Sequence, residues 1–284
     1  MKFPLKTPAG ESYHAYAYTG GKAFDAAKPT IVFIHGVLND HSVWILQTRY
    51  FAHHGFNVLA VDLPGHGRSG GDAPVSVEEA AQFIEALLDA ASVKQAGLVG
   101  HSWGSLIALE TAARLKDRIT HLALVGTAFP MKVSPALIEA SLKEPMKALK
   151  MVNVFSRATL AAPPSALGPG TWVYGASMAL GRRVLASNSH VNVFHRGFVA
   201  CDSYANGLEA MTAVTCPVLF VLGETDQMTP PRAAKSLIDQ AHATGKTFNV
   251  VKVPMGHHQM SESPEETLNA LQAFLMPEGL KHIA

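Results

Sequence analysis

The sequence predicts an α/β fold, a mostly parallel twisted sheet with helices on both faces, in a chain of 284 residues of which 48% are hydrophobic. Three observations predict it. Apolar runs of strand length recur at 30–34, 56–61, 96–99, 123–127, 217–222 and 248–253. Stretches of helical spacing separate several of them, and Val77, Ala80, Ala81, Ile84, Leu87 and Leu88 trace the clearest single face. Finally, the strand-like runs end in Gly, Pro, Asp and His, as strands do when they deliver the chain into loops.

Taken in order, the run 30–34 enters His35-Gly36, with Trp44 beyond it. His53-His54 close a helix before Gly55, where polar or cationic side chains suit the carbonyl end. The run 56–61 enters Asp62-Leu63-Pro64-Gly65-His66-Gly67-Arg68-Ser69. Ser76 and Glu79 have the spacing of a capping box and open the helix of the apolar face above. The run 96–99 then enters Gly100-His101-Ser102-Trp103-Gly104, and a helix-like run, 105–115, leaves it. Bending a strand straight into a helix around one serine strains the backbone. Glycines two before and two after leave room for the close approach. The serine oxygen is lifted above the sheet, at the end of a helix whose free N–H groups favour negative charge. Gly67-Arg68-Ser69-Gly70-Gly71 has the same spacing, but it lies among turn residues with no helix directly behind it, so Ser69 reads as a turn serine.

An activated serine needs a base, and the base needs an orienting acid. The buried run 217–222 leads to Gly223-Glu224-Thr225-Asp226, ahead of Thr229-Pro230-Pro231, which has the form of a capped helix start. The run 248–253 delivers Pro254-Met255-Gly256-His257, ahead of a second capping-box spacing at Ser263 and Glu266. Ser102, Asp226 and His257 therefore stand at strand ends in the order Ser, Asp, His. His258 competes with His257 for the base, and His101, on the opposite face of its strand from Ser102, reads as a packed, hydrogen-bonded residue.

These motifs resemble the α/β-hydrolase superfamily, in particular its lid-bearing serine esterase-like members, and the resemblance covers nearly the whole chain. It rests on the serine turn, the three triad positions, His35-Gly36, the loop Asp62 to Ser69, and Gly256-His257 with Glu262 and Pro264 behind them. It implies an α/β-hydrolase fold with an inserted helical cap: core from 1–128, cap from 129–207, core again from 208–284. It also implies an oxyanion hole from the amides of Val37 and Trp103, substrate contacts from His35, Gly36, Phe129 and Trp172, and no cofactor. The expected reaction is hydrolysis of a small or medium carboxylic ester. A carbon–carbon bond hydrolase and an aminopeptidase-like hydrolase are alternatives on the same triad. Gly100-His101-Ser102 departs from the Gly-Asn-Ser usual in the former, and few acids stand in the cap to hold a free amino terminus for the latter. An alternative of another class is a ligand-binding receptor that keeps the fold.

Composition narrows the remainder. A formal net charge of +1 gives no case for nucleic acid. No run is long enough to span a bilayer and the first ten residues lack a signal-peptide pattern, so a cytoplasmic protein is expected. Cys201 and Cys216 fall on different parts of the chain, which argues against a disulfide. The fourteen histidines have no metal-binding spacing, so no metal is expected. Regular alternation stops across 129–207, where Pro163-Pro164, Gly168, Pro169 and Gly170 interrupt short helical pieces and Met131, Met146, Met151, Met178, Phe155, Tyr174, Phe194 and Phe198 supply adaptable apolar surface. Eight cations there, Lys132, Lys143, Lys147, Lys150, Arg157, Arg182, Arg183 and Arg196, face three acids, Glu139, Glu144 and Asp202. Most should lie on a solvated face, and any that border the cleft would favour anionic esters.

Overall fold

The computed structural model describes residues 1–7, 10–25, 27–158 and 172–276. Pro163, Pro164, Gly168, Pro169 and Gly170 lie outside them. Eight strands form one sheet: β1 (Lys2–Lys6), β2 (Ser12–Tyr18), β3 (Thr30–Ile34), β4 (Asn57–Asp62), β5 (Ala96–His101), β6 (Ile119–Val125), β7 (Val218–Gly223) and β8 (Phe248–Val253), in the order β1-β2-β4-β3-β5-β6-β7-β8. From β4 to β8 every pairing is parallel, and β1 and β2 join antiparallel at one edge. Strands β3, β4, β5 and β7 are buried at every position, which explains why they read as unbroken apolar runs. β1 instead alternates exposed and buried residues, with only Phe3 and Leu5 facing the core.

On one face, α2 (Val77–Ala90), α3 (Trp103–Leu115), α8 (Gly207–Ala213) and α9 (Lys235–Ala243) pack against the sheet; on the other lie α1 (Ile45–His53) and α11 (Pro264–Leu275). α2 starts where its capping signal lies: Ser76 Oγ accepts from the Glu79 amide at 3.1 Å, while the Glu79 carboxylate accepts from the amide of Val75, one residue earlier than a reciprocal box would use. Thr229 differs from the expectation of a cap. After it come a short 3-10 turn, Pro231–Ala234, and α9, and its hydroxyl is engaged elsewhere.

Between β6 and β7 the chain leaves the sheet for α4 (Pro135–Lys143), α5 (Pro145–Ser156), α6 (Val173–Ala186), α7 (Val193–Ser203) and α8. Helices α4 to α7 share an apolar cluster of their own, including Leu137, Leu149, Val184, Phe194 and Phe198, and it closes onto Leu38 beyond β3. α8 returns to pack on α3, where the buried Glu110 accepts from Tyr204 Oη at 2.9 Å and Asn206 Nδ2 at 2.8 Å. Cys201 and Cys216 are both buried free thiols. Among the described residues no helix is long and apolar enough to cross a membrane.

Candidate active site

Register brings the carboxyl ends of four strands together. Ile34 pairs with Gly100, so Gly36 and Ser102, each two residues further on, emerge side by side; β7 pairs on β6 and β8 on β7, which adds the loops of Asp226 and His257. A Cβ placed on Gly36 would lie 3.1 Å from the Cβ of Ser102. Ser102 sits at φ +54°, ψ −121°, a conformation rare for a residue with a side chain, and caps no amide of α3. The turn is tight because a Cβ on Gly100 would stand 2.1 Å from the carbonyl oxygen of Gly104. Gly104 in turn lies so close under β3 that a Cβ there would be 2.4 Å from the oxygen of Ile34. The Trp103 amide, first in α3, has no acceptor within the helix and is available at the serine.

His257 Nδ1–H donates to Asp226 Oδ2 at 2.8 Å, and both residues are buried. Asp226 Oδ1 accepts from the amides of Met228 at 2.8 Å and Thr229 at 2.9 Å. Burial acts to raise the Asp226 pKa, but the nearby imidazole and these donors outweigh it and hold the carboxyl below its ordinary range. Thr229 Oγ1 lies 2.8 Å from Asp226 Oδ2, 2.9 Å from the Gly126 carbonyl and 3.1 Å from His257 Nδ1, so it fixes the pair against the end of β6. The fully buried Gln259 adds an Nε2–H donor 3.4 Å from Asp226 Oδ2. Sequence reasoning missed both. The Thr-Pro-Pro string read as a helix start, and nothing in a linear sequence says that its hydroxyl turns toward a histidine 28 residues on.

His101 Nε2–H donates to the carbonyl of His257 at 2.7 Å. Burial lowers its pKa to about 3, so it is neutral and ties the histidine loop to the end of β5, next to Ser102. His258 is buried with its amide donating to Glu262 Oε1 at 3.2 Å; its ring lies beside that of His257, and the imidazole hydrogen-bonded to Asp226 is that of His257.

Ser102, His257, Val37, Phe198 and Met228 line two adjoining lobes of the cleft. One lobe is mixed in character, with Asn39, His101, Asn153, Ser177 and His258 among its walls. The other has Met131, Val133, Leu137, Met151 and Phe155 on its walls, together with Lys132, Ser134, Gln227 and Thr229.

A model of the alpha/beta hydrolase fold family matches residues 29–171, half of the chain. The chain belongs to the alpha/beta hydrolase fold family. Across 86% of this chain and 91% of the other, this hydrolase-fold protein is 27% identical to a non-heme chloroperoxidase of Streptomyces lividans. It is 34% identical, over 39% of its length, to the dihydrolipoyllysine-residue acetyltransferase component of the acetoin cleaving system of Cupriavidus necator, of which it spans only 28%. In structure it is similar to an esterase from Exiguobacterium antarcticum, with a TM-score of 0.78, 18% identity and coverage of 97% of this chain and 99% of that one.

Several expected contacts lie elsewhere in this hydrolase fold. Trp172 is 64% exposed and stacks on Tyr174 at 5.7 Å, and Phe129 packs on Tyr204 and over Gly207; neither lines a lobe with Ser102. His35 is fully buried, donating from Nδ1 to the Gly36 carbonyl at 2.8 Å and accepting the Leu63 amide on Nε2 at 3.1 Å, so it shapes the loop without facing the cleft. Gly36 and Val37 do line the cleft. Ser69 bridges within a turn, donating to the Asp62 carbonyl at 2.6 Å and accepting from the Tyr16 amide at 2.8 Å. Asp40, His41 and Asp62 could offer a metal three ligand atoms within 4.8 Å of one another. Those atoms are already engaged: Asp62 accepts from His41 and from the Arg68 amide, and Asp40 pairs with Arg183 at 2.6 Å.

Proposed function

We propose that this protein is a serine hydrolase that cleaves carboxylic esters of small to medium size through an acyl-enzyme. One observation carries the reading: the 2.8 Å contact from His257 to the buried Asp226 at the wall of a cleft that it shares with the strained Ser102. Ser102 is the nucleophile, His257 the base and Asp226 the group that fixes the imidazole tautomer. As the serine oxygen bonds to the ester carbon, its proton passes to His257 Nε2, and the Val37 and Trp103 amides receive the charge on the carbonyl oxygen. Collapse breaks the bond to the alcohol, which leaves with the proton from His257. Water, deprotonated by the same histidine, then releases the acid and restores the serine. Residues 129–207 act as the cap, with Phe198 and Met151 among its contacts to substrate.

The test pairs a fluorophosphonate label with turnover on activated esters, thioesters and ring-cleavage dienones. Labelling lost in Ser102→Ala together with multiple turnover on esters supports the reading. Labelling without turnover on any ester favours a binding protein. Faster turnover of dienones than of esters moves the reaction to carbon–carbon cleavage.

A further inference from the structure

The cations of the inserted helices divide sharply by what they touch. Lys143 and Lys147 form exposed pairs with Glu139 and Glu144, Lys132 lies beside Asp202, Arg183 pairs with Asp40, and Arg196 donates to the Ala73 carbonyl. Lys150 and Arg182 are exposed. Arg157, at the end of α5, is different. Its guanidinium is largely withdrawn from water, Nη1 donates to Ser261 Oγ at 3.1 Å and Nη2 donates to Ser177 Oγ, and its buried Nε–H has no partner among the described residues. Burial lowers its pKa to about 10, opposed by the Glu262 carboxylate, so it is charged at neutral pH.

Its position matters as much as its charge. Arg157 lines a largely apolar cavity, with Ile45, Leu46, Val173 and Leu180 on its walls beside Asn39, Ser177, His258 and Arg183. Asn39, Ser177 and His258 are also walls of the mixed lobe that holds Ser102 and His257. Ser177, the hydroxyl that accepts from Arg157, thus stands at the junction of the two spaces. Glu262 favours the charge of this guanidinium, but the hydrogen bonds found for it go to hydroxyls and its Nε–H is unused; a carboxylate is the acceptor its planar fork matches best.

We propose that Arg157 anchors a carboxylate carried by the substrate, so that the preferred esters are those whose acyl or alcohol part ends in an acid group. The inference rests on the serine hydrolase reading for the reaction, while the recognition step rests on Arg157. A structural latch tying α5 to α6 and to α10 (Gln259–Glu262) would use the same two serines, and the experiment separates the two roles.

Two matched series serve as probes. In one, 4-nitrophenyl half-esters of linear dicarboxylic acids of six to ten carbons are compared with 4-nitrophenyl esters of monocarboxylic acids of equal length. In the other, butanoate esters of linear ω-hydroxy acids are compared with those of the corresponding alcohols. At the best chain length the acid-bearing member of at least one series should have the higher kcat/KM by about tenfold or more, with the gain in KM. Arg157→Met should shrink that preference by at least tenfold, Arg157→Lys should keep part of it, and the exposed control Arg182→Met should keep it all. No preference at any length in either series, or an equal fall for both members in Arg157→Met, overturns the carboxylate site and leaves a latch. If Arg157→Met does not fold, Arg157→Lys decides: a preference undiminished from that of the unaltered protein overturns the site. If no ester turns over, the hydrolase reading fails separately. The site is then judged by calorimetric binding of monomethyl adipate against methyl hexanoate: equal affinity overturns it, and tighter binding of the adipate that is weakened in Arg157→Lys sustains it.

Discussion

Lowering the pH from 7.5 to 5 should destabilise this fold by several kcal/mol, through histidines that the strand-end loops keep buried. Burial holds His66 and His101 at pKa values of about 3, against 6.5 for an exposed imidazole. His66 donates to the Pro64 carbonyl and His101 to that of His257, and each has a second ring nitrogen with no partner among the described residues, so the folded state gains little by protonating either. The unfolded chain therefore binds more protons below pH 6.5, and stability that is complete above 6.5 is lost as pH falls toward 3. At pH 5 each of the two costs about 2 kcal/mol by linkage, together about 4 kcal/mol. His35 and His258, also lowered by burial, add in the same direction. Asp226, Asp62 and Asp40 are held below their ordinary range and act only in more acidic solution, below about pH 4. Urea unfolding at pH 7.5, 6.5, 5.8 and 5 reads the effect. With a slope of roughly 3 kcal/mol per molar urea for a chain of this size, the midpoint should drop by more than about 1 M across the series. His66→Gln should flatten the dependence by about half of the paired contribution. A midpoint that stays constant from 7.5 to 5 would refute the reasoning, because it would mean these imidazoles protonate in place.

Three further outcomes are expected. Ser102→Ala and His257→Ala should each lower ester turnover by about 10⁴-fold or more, with little further loss in the double variant, whereas His258→Ala should cost far less; steady-state kinetics on an activated ester would reassign the base if the two histidines behaved oppositely. Asp226→Asn should lower kcat by about 10²- to 10⁴-fold with the fold retained, and Thr229→Val, which removes the hydroxyl between Asp226 and His257, by about tenfold, restored in Thr229→Ser; activity kept in Asp226→Asn but lost in Glu224→Gln would transfer the acid role. Gly104→Ala should destabilise by about 3 kcal/mol or more, because its methyl would meet the carbonyl oxygens of Ile34 and His35 at 2.4 and 2.6 Å, and calorimetry showing an unchanged melting temperature would mean that α3 can move off β3 freely.

Legibility in the sequence followed how local the physical signal is. The turn at Ser102 is local: glycines at 100 and 104 are needed within five residues, and the structure places backbone where their side chains would be. Asp226 and His257 were legible because each follows a fully apolar or alternating run by a few residues. β1 and β2 were not, since β1 turns only Phe3 and Leu5 to the core and β2 places small alanines there, so neither shows an apolar run. Phe129 and Trp172 lie outside the walls of the two lobes, and flat apolar side chains serve equally for packing; one covers Gly207 and the other stacks on Tyr174. Thr229 and Gln259 carry no signal at all, since their partners are set by the approach of β6, β7 and β8.

The division between sheet and insertion has a consequence for how specificity can change. Ser102, Asp226 and His257 hang from strand ends whose geometry is fixed by parallel pairing and by buried hydrogen bonds from Thr229, Gln259 and His101. The walls that would meet the rest of a substrate, Leu149, Asn153, Ser177, Phe194 and Phe198 in one lobe and Met131, Leu137, Met151 and Phe155 in the other, come from the insertion. Its packing is largely its own, so a side chain there can change size without disturbing the register of the sheet. Arg157 is one exception, because its bonds to Ser177 on α6 and Ser261 on α10, like the His257 amide donating to the Ser156 carbonyl at 2.8 Å, couple the insertion to the histidine loop. A change at Arg157 therefore reaches the loop of His257 as well as the pocket, whereas a change at the exposed Phe155 alters the shape of the pocket alone.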